Sequence, residues 1–290
     1  MIEKYYSGVI EQIYNRIGKE TRNIVMANYS NDFSIENLEV IRRYQSNEDN
    51  VFFAYSEFSY NTLVGAYEPF LDIICNMHRR FIGGSFDDFQ KECGVYYLHR
   101  QVLNSYYETG ECFREETVLL NEVAYEQRRM TMAIADMLKK LSEVKPLMIV
   151  INRFQMASKS SIETIKYLID NPCANIGIVL GVNAIVKGTD STVEVWDRIV
   201  ESLEDRSAIY YIGSAGPLKN NVKTTNDDEL YITMNFEQSI QEASNIMEFL
   251  DFEQARRGCR IIEHKLKFED AWIDEKSLRR FYMVYARTSV

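Results

Sequence analysis

The sequence predicts an α/β fold: a five-stranded, mostly parallel sheet with flanking helices, a helical insert and a C-terminal helical region. Two observations carry this expectation. Five short runs are continuously apolar rather than alternating, which is the pattern of strands buried on both faces. Stretches of helical periodicity lie between those runs, the alternation that winds a parallel sheet.

The elements follow in order. Residues 1–20 read as an N-terminal charged amphipathic helix, and residues 21–212 as the α/β unit. The first run is Ile24-Val25-Met26-Ala27. In the next helix Ile35, Leu38 and Ile41 recur at helical spacing, with Asp32 or Ser34 placed to cap its start. The second run is Val51-Phe52-Phe53-Ala54-Tyr55. After it Pro69 opens a helix whose apolar face holds Phe70, Leu71, Ile73, Ile74, Met77 and Phe81, and Gly83-Gly84 stops it. A helical insert spans about 85–143, and its last helix carries Val118, Leu119, Val123, Met130, Ile134, Met137, Leu138 and Leu141. The third run, Leu147-Met148-Ile149-Val150-Ile151, starts after Pro146. A helix with Ile162, Ile165, Leu168 and Ile169 leads to the fourth, Ile176-Gly177-Ile178-Val179-Leu180. A helix with Val193, Trp196, Ile199, Val200 and Leu203 leads to the fifth, Ala208-Ile209-Tyr210-Tyr211-Ile212. Residues 213–235 read as a linker. Residues 236–290 are helical, with Ile240, Ala243, Ile246, Met247 and Leu250 facing one way, and the pattern is expected to continue into a longer protein.

Composition narrows the function classes. Hydrophobic residues make up 46% and charged residues 26% of the 290, and only 4 are proline, so a folded core is expected rather than disorder. The net charge of -10 disfavours phosphate backbones and anionic lipid surfaces, so neither nucleic acid nor membrane is expected as a partner. The arginine pairs, such as Arg79-Arg80 and Arg128-Arg129, are scattered and flanked by acids, and are assigned to solvated helix faces. Five cysteines without a C-x-x-C suit reduced thiols, and three histidines without metal-ligand spacing give no zinc site. With no signal peptide and no long apolar span, a cytoplasmic location is the expectation.

One segment is more specific. Lys145-Pro146-Leu147-Met148-Ile149-Val150-Ile151-Asn152-Arg153-Phe154-Gln155-Met156-Ala157-Ser158 leads into a helix, and Gly181-Val182-Asn183 closes the next strand. Ala54-Tyr55 and Ala66-Tyr67-Glu68-Pro69-Phe70-Leu71-Asp72 fit the second strand and the helix after it. Together these resemble the P-loop ATPase domain of the AAA-like signal-transduction ATPases with numerous domains, the STAND group. The resemblance covers roughly residues 20–212. It implies a P-loop NTPase-like sheet and a C-terminal region that begins winged-helix or tetratricopeptide repeats. It further implies a role inside a multidomain bacterial signalling protein, with a protein partner or an attached C-terminal effector domain. That effector would be a nucleotide cyclase, such as a diguanylate cyclase, or a transcriptional output.

The departures decide the chemistry. A Walker A loop needs glycines whose N–H groups wrap phosphates, a lysine for the β/γ-phosphates and a hydroxyl for magnesium. The corresponding loop is Asn28-Tyr29-Ser30-Asn31-Asp32-Phe33-Ser34, and from Glu20 to Val64 the chain has no glycine at all. No lysine occurs from Glu20 to Gln90. Where Walker B places a magnesium-holding acid and a water-orienting acid, the chain has Asn152 and Arg153, a poor magnesium ligand and a group that cannot act as a base.

The expectation is therefore a non-catalytic regulatory or scaffolding module without a cofactor, catalytic residue or metal. The alternative is a nucleotide sensor or NTPase with a non-standard site, in which Asn28, Ser30, Asn31, Ser34, Asn152 and Asn183 would contact ATP and magnesium. Arg153 would face the same edge, within reach of Asp32. A third reading, a helical adaptor with no real sheet, predicts almost no strand. Gly83-Gly84-Ser85-Phe86-Asp87 is similar to the glycine hairpin of diguanylate cyclases but lies between helices, so it reads as a helix stop followed by a Ser85 N-cap.

Overall fold

The computed structural model describes residues 2–29, 38–46, 50–58, 63–113, 122–183, 197–203, 209–212, 236–268 and 274–288. The first half of the chain runs α1 (Ile2–Arg16), β1 (Ile24–Tyr29), α2 (Glu39–Ser46), β2 (Phe52–Glu57), α3 (Phe70–Met77), α4 (Phe86–Glu92), α5 (Tyr97–Thr109) and α6 (Val123–Val144). It continues through β3 (Leu147–Asn152), α7 (Lys159–Asp170), β4 (Ile176–Asn183), a helical stretch α8 (197–203), β5 (Ile209–Ile212), α9 (Phe236–Glu248), α10 (Phe252–Phe268) and α11 (Glu275–Thr288).

The fold is α/β, with a parallel sheet flanked by helices; the all-helical reading is overturned. Strand order is β2-β3-β4-β1-β5, with the short β5 beside β1. All pairs are parallel: Ile149 lies beside Ile178, Met26 beside Leu180, and Phe53 beside Met148. β3 is buried along its whole length, which is why its run could be continuously apolar.

α1 lies across β4, β1 and β5, and two glycines let it come close. A Cβ on Gly177 would lie 2.8 Å from Ile17, and one on Gly181 would lie 2.0 Å from the Tyr6 hydroxyl. α2 packs beside β2 with Tyr44 tilted against Phe53, and it meets α1 where Tyr14 stacks on Tyr44 at 3.9 Å. α2 begins at Glu39; Asp32, Ser34 and Ile35, expected at its start, lie outside the described residues, as do Val118, Leu119, Val193, Trp196 and the 213–235 linker.

α3 passes into one π-helical turn, His78–Ile82, which Gly83 ends at φ 68. Ser85 then caps α4, its hydroxyl accepting from Asp88 N at 3.2 Å, as the sequence reading expects. The π turn buries His78 among Phe86, Phe89 and Tyr107, and burial lowers the imidazole pKa. The arginine pairs are not merely solvated. Arg79 lies 4.3 Å over Tyr107 and Arg129 3.8 Å over Tyr96, contacts worth about 0.5–1 kcal/mol each at exposed sites.

The three C-terminal helices pack on one another and also dock on the α/β unit. Asn245 accepts from Cys112 N at 3.0 Å and donates to Gly110 O at 3.1 Å. Gln254 donates to Val64 O at 3.2 Å, and Gln127 donates to Leu250 O. Phe249 is buried against Tyr67 and Tyr106, and Gly258 packs on Leu63. Among the described residues no helix is long and apolar enough to cross a membrane.

Candidate functional site

In an open parallel sheet, ligands bind beyond the carboxyl ends of the strands, where strand order reverses. Here that edge holds the ends of β1, β3 and β4. The last residue but one of β1 is Asn28, which is 1% exposed; neither atom of its side-chain amide has a hydrogen-bond partner among the described residues. A buried amide left so costs about 1–3 kcal/mol. β3 closes with Asn152, also fully buried. Pairing of Ile151 with Leu180 sets Asn152 beside Gly181, whereas Asn28 pairs with Val182. Side chains alternate along a strand, so Asn28 and Asn152 emerge on opposite faces of the sheet. The edge brings the two amides near one another without aiming them at one point. The backbone of Asn183 lies in β4 beside Tyr29, while its side chain, with Ser30, Asn31 and Ser34, is outside the described residues.

Above Asn152 the space is taken. The Tyr6 hydroxyl and Asn152 Oδ1 both converge on Gly181, 2.0 and 2.8 Å from the position a Cβ would occupy. Tyr6 itself is fully buried. The N-terminal helix thus puts an aromatic ring over the strand next to the Asn152 amide.

Arg153 follows in the left-handed conformation, φ 55 and ψ 39. It was expected within reach of Asp32, which is outside the described residues. The structure pairs it with Glu57 at the end of β2: Nη1 to Oε1 is 3.0 Å, with a further contact to Phe58 O at 3.4 Å. Tyr55 donates its hydroxyl to the same carboxylate. A 3₁₀ turn over Phe154–Met156 then leads to Ser158, which caps α7 by accepting from Ser161 N at 3.3 Å. Ser161 donates to Glu68 O and Ser160 accepts from Tyr67 N, so the turn after β3 is tied to the segment before α3.

That segment carries the strongest electrostatic feature on this side. Glu68 accepts from Gly65 N at 2.8 Å. A Cβ on Gly65 would sit 2.6 Å from Glu242 Oε1 and 3.4 Å from Glu68 Oε2, so the glycine lets two carboxylates meet across the junction with α9. Asp72 is close by and accepts from the Tyr106 hydroxyl at 2.9 Å. Burial, then Glu68 and Asp72, push the Glu242 carboxyl up to about 7. Burial also raises Glu68. Sequence reasoning missed this cluster. The signal was present: from Tyr44 to His78 the chain has no lysine or arginine, so Glu68 and Asp72 have no local counter-ion.

The cluster makes stability depend on pH. The folded state holds the Glu242 proton more tightly than the unfolded chain does, whose value is near 4.5. Its contribution is therefore complete below about pH 4.5 and is lost as pH rises through about 7. Glu242→Gln is expected to melt above the wild type at about pH 8, with the gap closing near pH 5. An equal gap at both ends of that series would show that the proton is irrelevant.

No protein-family model matches the chain, and a search of the curated proteins finds no match. The geometry of the strand ends carries the functional reading.

Proposed function

We propose that the chain is a non-catalytic, P-loop ATPase-like regulatory or scaffolding module of a larger bacterial signal-transduction protein. The observation that carries this is the Arg153–Glu57 ion pair at the end of β3, beside the buried Asn152. Where the chemistry would need two acids, one position holds an amide under Tyr6 and the other a cation already neutralised by its neighbour. The strand order supports the same reading, because β1 lies between β4 and β5, the order expected of an AAA-type core.

In this reading the module works in the cytoplasm and makes protein contacts, through the helical insert or the tail. Its output is an attached C-terminal effector domain, a nucleotide cyclase such as a diguanylate cyclase, or a transcription activator. The docked tail supports coupling between the sheet and whatever follows it.

Titration with ATP and with ADP, each with magnesium, is expected to show no saturable micromolar binding, and the chain to release no phosphate from ATP. Saturable, magnesium-dependent binding would instead favour a nucleotide sensor with contacts from Asn28, Ser30, Asn31, Ser34, Asn152 and Asn183. The partnerless amide of Asn28 is the observation on that side.

A further inference from the structure

We propose that Glu242 and Glu68 form a proton-operated latch between the C-terminal helices and the α/β unit: with one proton on the pair the tail stays docked, and loss of that proton releases α9. The latch is separate from the strand-end edge and does not depend on how that edge is read.

Glu242 Oε1 and Glu68 Oε2 both lie within 3.4 Å of one point, the place a Cβ on Gly65 would take. One carboxyl comes from α9 and the other from the segment before α3, so the contact spans the joint. Two carboxyl groups this close repel when both are ionised, and the pair is relieved when one keeps a proton. Hydrogen bonding decides which one. Glu68 accepts from Gly65 N at 2.8 Å, which favours its charged form. Glu242 makes no hydrogen bond or ion pair among the described residues, so the proton sits there.

The surroundings supply no counter-charge to Glu242. Towards α3 it meets Glu68 and Asp72, and Asp72 accepts from the Tyr106 hydroxyl of α5. On its open side it lines a cleft with Glu111 after α5, Glu237 of α9 itself, and Asp274, Lys276 and Arg280 at the start of α11. Neither of those cations is paired with it, and nor is any charged side chain of α10, which packs along α9. Burial and the two acids on the α3 side hold its carboxyl at about 7.

Its position on the helix makes the pair a latch. Glu242, Asn245 and Ile246 share one face of α9, and Phe249 follows a turn later. That face is the docked one: Asn245 bonds Gly110 O and Cys112 N, and Phe249 packs on Tyr67 and Tyr106. An ionised Glu242 is pushed away from Glu68 and Asp72, and α9 retreats only by carrying Asn245 with it. The docked form holds the proton more tightly than the released form, whose Glu242 is near 4.5. Opening therefore releases a proton. The opening equilibrium is flat below about pH 4.5, rises by up to about tenfold per pH unit from there to about 7, and is flat above.

The test is hydrogen exchange of the full chain at about pH 6 and about pH 8, with rates corrected for the intrinsic pH dependence of exchange. Amides of α9 and of residues 110–112 are expected to open about tenfold more at the higher pH, while those of β1, β3 and β4 do not change. Glu242→Gln cannot ionise, and should keep the same amides equally protected at both values. Glu68→Gln retains an acceptor for Gly65 N but removes the facing charge, and should cut the rise to a fewfold. An unaltered pH response in Glu242→Gln would overturn the inference. So would an undiminished rise in Glu68→Gln, or a rise of equal size in the sheet amides.

Discussion

Phe249→Ala is expected to lower stability by about 3–5 kcal/mol and to loosen α9–α11 before the sheet. Phe249 is 2% exposed and sits at the centre of the junction, with its ring 5.6 Å from Tyr67 and 6.1 Å from Tyr106. Both neighbours are anchored elsewhere, Tyr67 through its N–H to Ser160 and Tyr106 through its hydroxyl to Asp72, so neither can collapse into the space. A cavity lined by groups that cannot relax is the expensive kind. Denaturant titration gives the total. Hydrogen exchange gives the pattern: amides of α9–α11 should lose protection while those of β1, β3 and β4 keep theirs. A uniform loss across all six elements would show that tail and sheet unfold as one unit.

Gly181→Ala is the second large effect expected, at about 1–3 kcal/mol or more. The new methyl would lie 2.0 Å from the Tyr6 hydroxyl and 2.8 Å from Asn152 Oδ1. Tyr6 and Asn152 are both fully buried, so neither can swing into solvent to make room. α1 must then lift from the strands, and that movement opens the same edge that the ring covers. The hydroxyl is the obstacle, so Gly181→Ala should cost less in a Tyr6→Phe background. A double-mutant cycle should give a coupling of about 1 kcal/mol or more. Strict additivity would place the strain elsewhere.

What could be read in the sequence, and what could not, follows from range. The apolar runs became strands of a parallel sheet, because burial on both faces writes itself into consecutive residues. Caps were equally local: Ser85 and Gly83 needed only their neighbours. The placement of Asn152 and Arg153 at the end of β3 was legible because they close the best-marked apolar run. Other features depend on partners far along the chain. Glu57 answers Arg153 from 96 positions away by number, Tyr6 reaches Gly181 from the opposite end of the α/β unit, and Glu242 meets Glu68 only because Gly65 lacks a side chain. No local pattern encodes such meetings.

The joint between tail and sheet has a mechanical consequence. Asn245 grips a main-chain carbonyl and a main-chain N–H on either side of Glu111, and Gln254 holds another carbonyl at Val64. Such bonds have direction and tolerate little misalignment. A small slide of α9 would not weaken them gradually; it would forfeit them together. The joint therefore holds or lets go as a unit, and it does not slide.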